Sequence, residues 1–237
     1  MFVLPVLKNV NIITEEERIL TKKSFLPTYT LGEDLANAIS HGIGACLSVA
    51  ALVLCVVQAA RHGTAAGVVG ASVYGATLIV LYTMSTLYHA ITNQSARKVF
   101  RVFDHVSIYL LIAGTYTPIT LVTIRGAMGW VIFGVVWGMA ILGIVLNSVS
   151  IEKFKKFSIV SYIMIGWAVV IGMRQVIENM PKNGLVFLVV GGVLYTVGII
   201  FYALKKVKYM HSVWHLFVLA GSIMHFFCVY LYVLPTR

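Results

Sequence analysis

Seven stretches of this chain are each long and apolar enough to cross a bilayer, and that repetition constrains the fold more than anything else in it. They fall at about 35–58, 66–90, 103–124, 127–148, 157–178, 185–204 and 211–234, each close to the roughly 20 residues a spanning helix needs. The apolar fraction of the whole chain is 59% and only 11% of residues are charged, far from the composition of a water-soluble domain. Backbone groups facing lipid must be satisfied within the segment, and no alternating pattern of barrel strands is present, so the spans are helices. The expectation is an all-α integral membrane protein: a short segment over residues 1–30, then one seven-helix transmembrane domain over 31–237.

The formal charge of +10 does not mark a nucleic-acid surface, because the basic residues sit in short clusters between apolar runs. With seven spans, alternate loops lie on opposite sides. One side collects Lys8, Arg18, Lys22 and Lys23, then Arg97, Lys98 and Arg101, then Lys153, Lys155 and Lys156, then Lys205, Lys206 and Lys208. The other side has only Arg61, Arg125, Arg174, Lys182 and Arg237. Thirteen against five places the N-terminus in the cytoplasm and the C-terminus outside. The opening MFVLPVLKNVNIITEEER does not read as a signal peptide, since its apolar run is short, contains Pro5 and is followed by three glutamates. Cys46, Cys55 and Cys228 lack metal-ligand spacing and read as small buried hydrophobes. Gly134-x-x-x-Gly138 has the spacing of a tight helix contact. No internal repeat is visible, which disfavours an inverted-repeat transporter.

On this frame the polar residues are not scattered. Span 1 enters with Glu33, Asp34, Asn37 and His41; span 2 leaves with Ser85 and His89; span 3 begins with Asp104 and His105; span 7 begins with His211 and His215. All lie in the cytoplasmic half, where ionisable side chains are costly and face a bundle interior or a water-filled cavity. Two histidines at i and i+4 share one helix face and can bind one metal ion, and a third from another helix makes three ligands with a position open, the arrangement of catalytic zinc. The motif is HxxxH without the glutamate of HExxH, so a base must come from elsewhere. Asp104 is the candidate, with Ser85 placed to hold a water. Each element also has a plainer reading: hydrogen-bonded interfacial histidines, Asp104 paired with Arg101 or capping its helix, Glu33 or Asp34 as a favourable charge at a helix N-terminus. Their coincidence at one depth favours the metal site. His225 lies ten residues beyond His215, about 15 Å deeper along the helix. It reads as a buried polar partner or part of a proton or water path. His105 and His62, the latter in an external loop, are left out of the site.

The segments EDLANAISHG, STLYH, FDHVSIYLLIAGTYTP and HSVWHLFVLAGSIMHF, in that order, resemble the hemolysin III family, the bacterial branch of the progestin and adipoQ receptors. The similarity runs from about Glu33 to the C-terminus. It implies a multi-pass protein of a bacterial plasma membrane, with seven helices and a cytoplasmic N-terminus. It also implies zinc held by His89, His211 and His215, as in the adiponectin receptors, with Asp104 holding the zinc-bound water and Ser85 as the motif serine. The family often has Glu three residues before the first-helix Asn; here Asp34 stands there with Glu33 beside it, and either carboxylate could take the role. Relatives in the wider superfamily include alkaline ceramidases, which resemble metal-dependent lipid-amide hydrolases.

Three functions are therefore in play. In the first, zinc lowers the pKa of its water to near 7, Asp104 orients or deprotonates that water, and hydroxide attacks the amide or ester carbonyl of a membrane lipid entering between helices. Ser85, Glu33 or Asn37 would then fix the imidazoles. In the second, a structural zinc with four closed ligands, Asp104 among them, locks the helix ends of a receptor or regulator. In the third, the protein is a lytic channel; that needs a polar stripe across the whole bilayer, which one protomer lacks, leaving an oligomeric pore.

Overall fold

The structure, a computed structural model, describes residues 26–62, 64–204 and 206–235. Most of the N-terminal segment, the side chain of His62, Lys205 and Arg237 lie outside the described residues. Seven helices are long and apolar enough to cross a membrane: α1 (Leu31–Arg61), α2 (Ala65–Ala90), α3 (Gln94–Ile124), α4 (Gly126–Val149), α5 (Ile151–Asn179), α6 (Lys182–Ala203) and α7 (Met210–Val233). There is no strand among the described residues.

The spans are those the apolar runs predict, but α3 and α5 begin earlier. Apolarity stops at Arg97, Lys98 and Arg101 and at Lys153, Lys155 and Lys156, yet these are good helix formers, and side-chain caps precede both clusters. Asn93 accepts from the Ala96 amide at 3.0 Å, and Ser150 from the Lys153 amide at 3.3 Å. At α1 the cap is reciprocal. The Glu33 carboxylate accepts from the Thr30 amide at 2.9 Å, while the Glu33 amide donates to Thr30 Oγ1 at 3.3 Å.

Helices adjacent in sequence pack on one another from α1 to α4, and α7 packs on α6 and closes back onto α1. The exception is α5 and α6, which meet only sparsely. Helix α3 is the most enclosed, with 78% of its apolar stretch buried against 22–50% for the others. The bundle is apolar on its outside: on α1, Leu35, Ile39, Ile43 and Leu47 are exposed, while Asn37, His41 and Ser48 are buried. Cys55 and Cys228 are buried as expected, whereas Cys46 is exposed on the outer face.

Helix α5 is not continuous. An α-helix, Ile151–Gly166, gives way to a 3-10 turn, Ala168–Gly172, before helix resumes at Met173. The backbone groups released at this joint are taken up by α3. Tyr116 Oη donates to Gly166 O and accepts from the Val169 amide, both at 2.8 Å, so these two backbone groups keep partners. Helix α3 ends in a π turn, Ile119–Ile124, directly after Pro118, and Arg125 and Gly126 at positive φ turn the chain into α4.

The small-residue reading of α4 needs correcting. A methyl group at Gly134 or Gly138 meets nothing within 4 Å, because both residues face outward. The close contact on α4 is at Gly143, where a Cβ would collide with the Tyr109 ring, which is fully buried and hydrogen-bonded to Ser161. Spacing alone does not say which face a glycine occupies. Gly143→Ala is expected to lower stability by about 1–3 kcal/mol, and Gly134→Ala and Gly138→Ala to stay within about 0.5 kcal/mol of wild type, read by thermal denaturation in detergent.

Candidate metal site and adjoining cavity

The two ends of the bundle differ chemically. Where α1, α3 and α7 begin and α2 finishes, the interior holds Asp34, Asn37, His41, Ser85, His89, Asp104, His211 and His215. The capping box fixes the start of α1, and the Tyr209 amide, from a residue at φ +63°, donates to Glu33 Oε1 at 3.0 Å. That bond ties the loop before α7 to the start of α1, two residues ahead of His211. Glu33 thus acts as a clamp on helix ends, and its carboxylate makes its contacts with Thr30 and Tyr209.

Asp34 turns inward instead. Its Oδ1 is 3.0 Å from His89 Nδ1, and Arg97 Nη2 bridges both carboxylate oxygens at 2.6 and 2.7 Å. A carboxylate beside a guanidinium is an acceptor, so Nδ1 of His89 carries the proton and Nε2 presents its lone pair. Asn37 Nδ2 also lies 3.4 Å from His89 Nδ1, but both nitrogens are then donors and the carboxylate contact decides. His215 is fixed by the same logic. Its Nδ1 is 3.3 Å from Asn37 O, a carbonyl that can only accept, and 3.3 Å from Ser40 Oγ. Asn37 is itself held by Ser212 Oγ at 2.6 Å. Nε2 of His89 and Nε2 of His215 are buried and have no hydrogen-bond partner among the described residues.

His211, one turn before His215, completes the group: one nitrogen from each of His89, His211 and His215 lies within 4.8 Å of the others. Three imidazoles from two helices, two with lone pairs already directed, can hold one metal ion. Tyr29 lies over the site, its ring 5.4 Å from His89 and 5.2 Å from His211. Burial pushes the Tyr29 hydroxyl far above its ordinary pKa, so it stays a neutral donor.

The remaining predicted residues surround the group without joining it. Asp104 is buried and lines a cavity beside the triad together with His41 and His211. It does not cap α3, whose N-cap is Asn93, and Arg101 bonds Glu152. Its Oδ2 is 3.6 Å from His105 Nδ1, but that nitrogen donates to Arg101 O at 2.9 Å. Ser85 is fully buried, and its Oγ lacks a partner among the described residues. His41 stacks on His215 at 3.6 Å between ring centroids, with neither nitrogen partnered among the described residues. His225 lies at the far end of the same cavity, which measures about 150 Å³ and is walled mainly by apolar side chains of α3, α5, α6 and α7. Arg97, Ser40, Ser212 and Tyr29 were missed by sequence reasoning. Arg97 counted only as a loop charge, and nothing in its spacing points to Asp34.

A sequence profile for the family described as "Haemolysin-III related" matches residues 29–226. The chain belongs to the haemolysin III family. It is 46% identical over 217 residues to "Hemolysin-3" of Bacillus cereus, covering 92% of this chain and 99% of that protein. Identity to the "Hemolysin-3 homolog" of Bacillus subtilis (strain 168) is 40% over 204 residues, or 86% and 96% of the two chains. The human "Monocyte to macrophage differentiation factor" is 27% identical over 173 residues, 69% of this chain and 71% of that one. All four motifs that carried the resemblance to this family lie within the matched region.

Partners that orient a ligating imidazole typically contribute 10- to 100-fold to metal affinity. If the triad takes a metal ion, Asp34→Asn is expected to weaken that binding by about this range in a chelator competition. The pair Asp34→Asn with Arg97→Gln, which leaves no stranded guanidinium, should recover thermal stability without recovering the metal affinity.

Proposed function

We propose that this haemolysin III protein is an intramembrane zinc hydrolase that cleaves an amide or ester bond of a membrane lipid. The observation that carries the reading is the pair of buried Nε2 atoms, on His89 and His215, whose protons are directed elsewhere by Asp34 and by Asn37 O. Buried polar atoms without partners are rare in folded proteins, and here two of them stand in a three-histidine group beside a cavity. Zinc suits imidazole ligands, and a zinc ion held by His89, His211 and His215 supplies acidified water and polarises a carbonyl.

The chain's own residues supply the rest. Asp104, buried at the cavity wall, accepts the proton of the attacking water and returns it to the leaving amine or alcohol. Ser85 Oγ, buried on the same α2 face as His89, holds that water by hydrogen bonding. Ile108, Leu111, Ile112 and Val218 keep bulk water from the acyl chain. The sparse meeting of α5 and α6, both of which line the cavity, offers the chain a sideways route from the bilayer. The basic loop clusters lie at the site's end of the bundle, so the reaction faces the cytoplasm.

Elemental analysis of detergent-purified protein is expected to find roughly one zinc per chain, lost in His89→Ala and His211→Ala. Asp104→Asn should keep its zinc while lowering kcat on a lipid amide by about 10²–10⁴-fold. Absence of metal after zinc loading overturns the reading. Bound zinc with no turnover of any lipid amide or ester favours a structural zinc in a regulator instead.

A further inference from the structure

Helix α5 gives the cavity one face and a single charge. Ile151, Lys155, Ser158, Ile159, Tyr162 and Ile163 all line it, and steps of three and four residues place them along one helix stripe. Lys155 is half-buried in that stripe, whereas Lys153 and Lys156 are exposed and lie off the cavity. A lysine near the end of a membrane helix runs its stem along apolar surface and carries its ammonium toward the interface. Lys155 lies about 6 Å past the start of α5, at the same end of the bundle where α7 begins with His211. Its stem is therefore part of the cavity wall, and its charge stands at the end that holds the triad.

The protein does not neutralise this charge itself. Lys155 makes no ion pair or hydrogen bond among the described residues. Glu152, one turn earlier on α5, is bonded by Arg101 of α3. Asp34 is bridged by Arg97, and Glu33 holds Thr30 and Tyr209. Asp104 lines the same cavity, yet no ion pair joins it to Lys155. A half-buried cation beside apolar walls is stabilised by an anion, and the anions that a bilayer offers at this depth are lipid phosphates, which a lysine takes as a point charge. We propose that the cavity selects a membrane lipid with an anionic, phosphate-bearing headgroup, and that Lys155 pairs with the phosphate while a chain follows the apolar walls. This rests on the reading of the cavity as a lipid site and deepens it by naming the headgroup. It does not require that hydrolysis occurs.

The test uses lipids that cannot be cleaved. Two diether lipids with identical chains, one ending in a phosphate and one in a hydroxyl, are each made with and without a photoreactive diazirine in the chain. The diazirine forms label the full-length protein in phosphatidylcholine vesicles, the plain forms compete, and labelled residues are read by mass spectrometry. Label is expected inside the cavity, at Ile112 and Ile159, and the phosphate lipid is expected to displace it about 3- to 10-fold more effectively than the hydroxyl lipid. Lys155→Gln removes that preference while the cavity is still labelled. Lys156→Gln, which removes the same charge from the exposed face, keeps it. Equal displacement by the two lipids in wild type, with the cavity labelled, overturns the inference alone. A preference that survives in Lys155→Gln overturns it too, as does one lost as fully in Lys156→Gln, the result if the lysines only draw anionic lipid to the protein surface. A cavity that neither diazirine lipid labels overturns both this inference and the lipid reading beneath it. The wild-type comparison comes first, so the inference stays falsifiable even where a variant does not fold.

Discussion

The carboxylate of Asp34 joins three helices of this protein through two partners. It belongs to α1, receives a hydrogen bond from His89 of α2 and is bridged by Arg97 of α3, so one side chain joins the ends of three helices. All three partners are nearly shielded from solvent, with 13% of the Asp34 side chain exposed, 12% of Arg97 and none of His89. Charges so placed persist only when paired and hydrogen-bonded, and stripping one partner from a buried pair costs about 3–5 kcal/mol. The same contact that joins the helices decides which nitrogen of His89 carries its proton. Packing and chemistry are therefore set by one interaction.

That economy follows from the solvent. In lipid, apolar side chains gain little by leaving the surface, and the outward faces of α1 and α4 are accordingly as apolar as the core. Specificity has to come from polar groups that find partners inside and from small residues that let backbones approach. Tyr109 against Gly143, Thr77 against Gly114 and Leu52 against Gly75 are contacts of the second kind. The Asp34, Asn37 and Glu33 networks are of the first, and they gather at one end of the bundle.

Much of this was legible from the sequence because it rests on local periodicity. Seven apolar runs give seven helices, and spacings of four residues put Ser85 with His89 and His211 with His215 on single faces. Alternating direction then puts all of them at one end of the bundle. What was not legible depends on packing partners. Nothing in the sequence says that Arg97, one of several loop cations, should reach Asp34, or that Gly134 and Gly138 face out while Gly143 faces Tyr109. The division of labour between adjacent Glu33 and Asp34 also had a missed local signal: Thr30-x-x-Glu33 is a capping box, which commits Glu33 to the helix end and leaves Asp34 to turn inward.

The interrupted helix α5 has a mechanical consequence. Its two rods, before Gly166 and after Gly172, share no unbroken ladder of backbone bonds; a phenol from α3 stands in for the missing rungs. The joint is keyed to its neighbours instead, to α3 through Tyr116 and to α6 through the Trp167 indole. The cavity wall that α5 supplies is therefore two helical pieces joined by a 3-10 turn, with side chains at the joint bonded to two different helices.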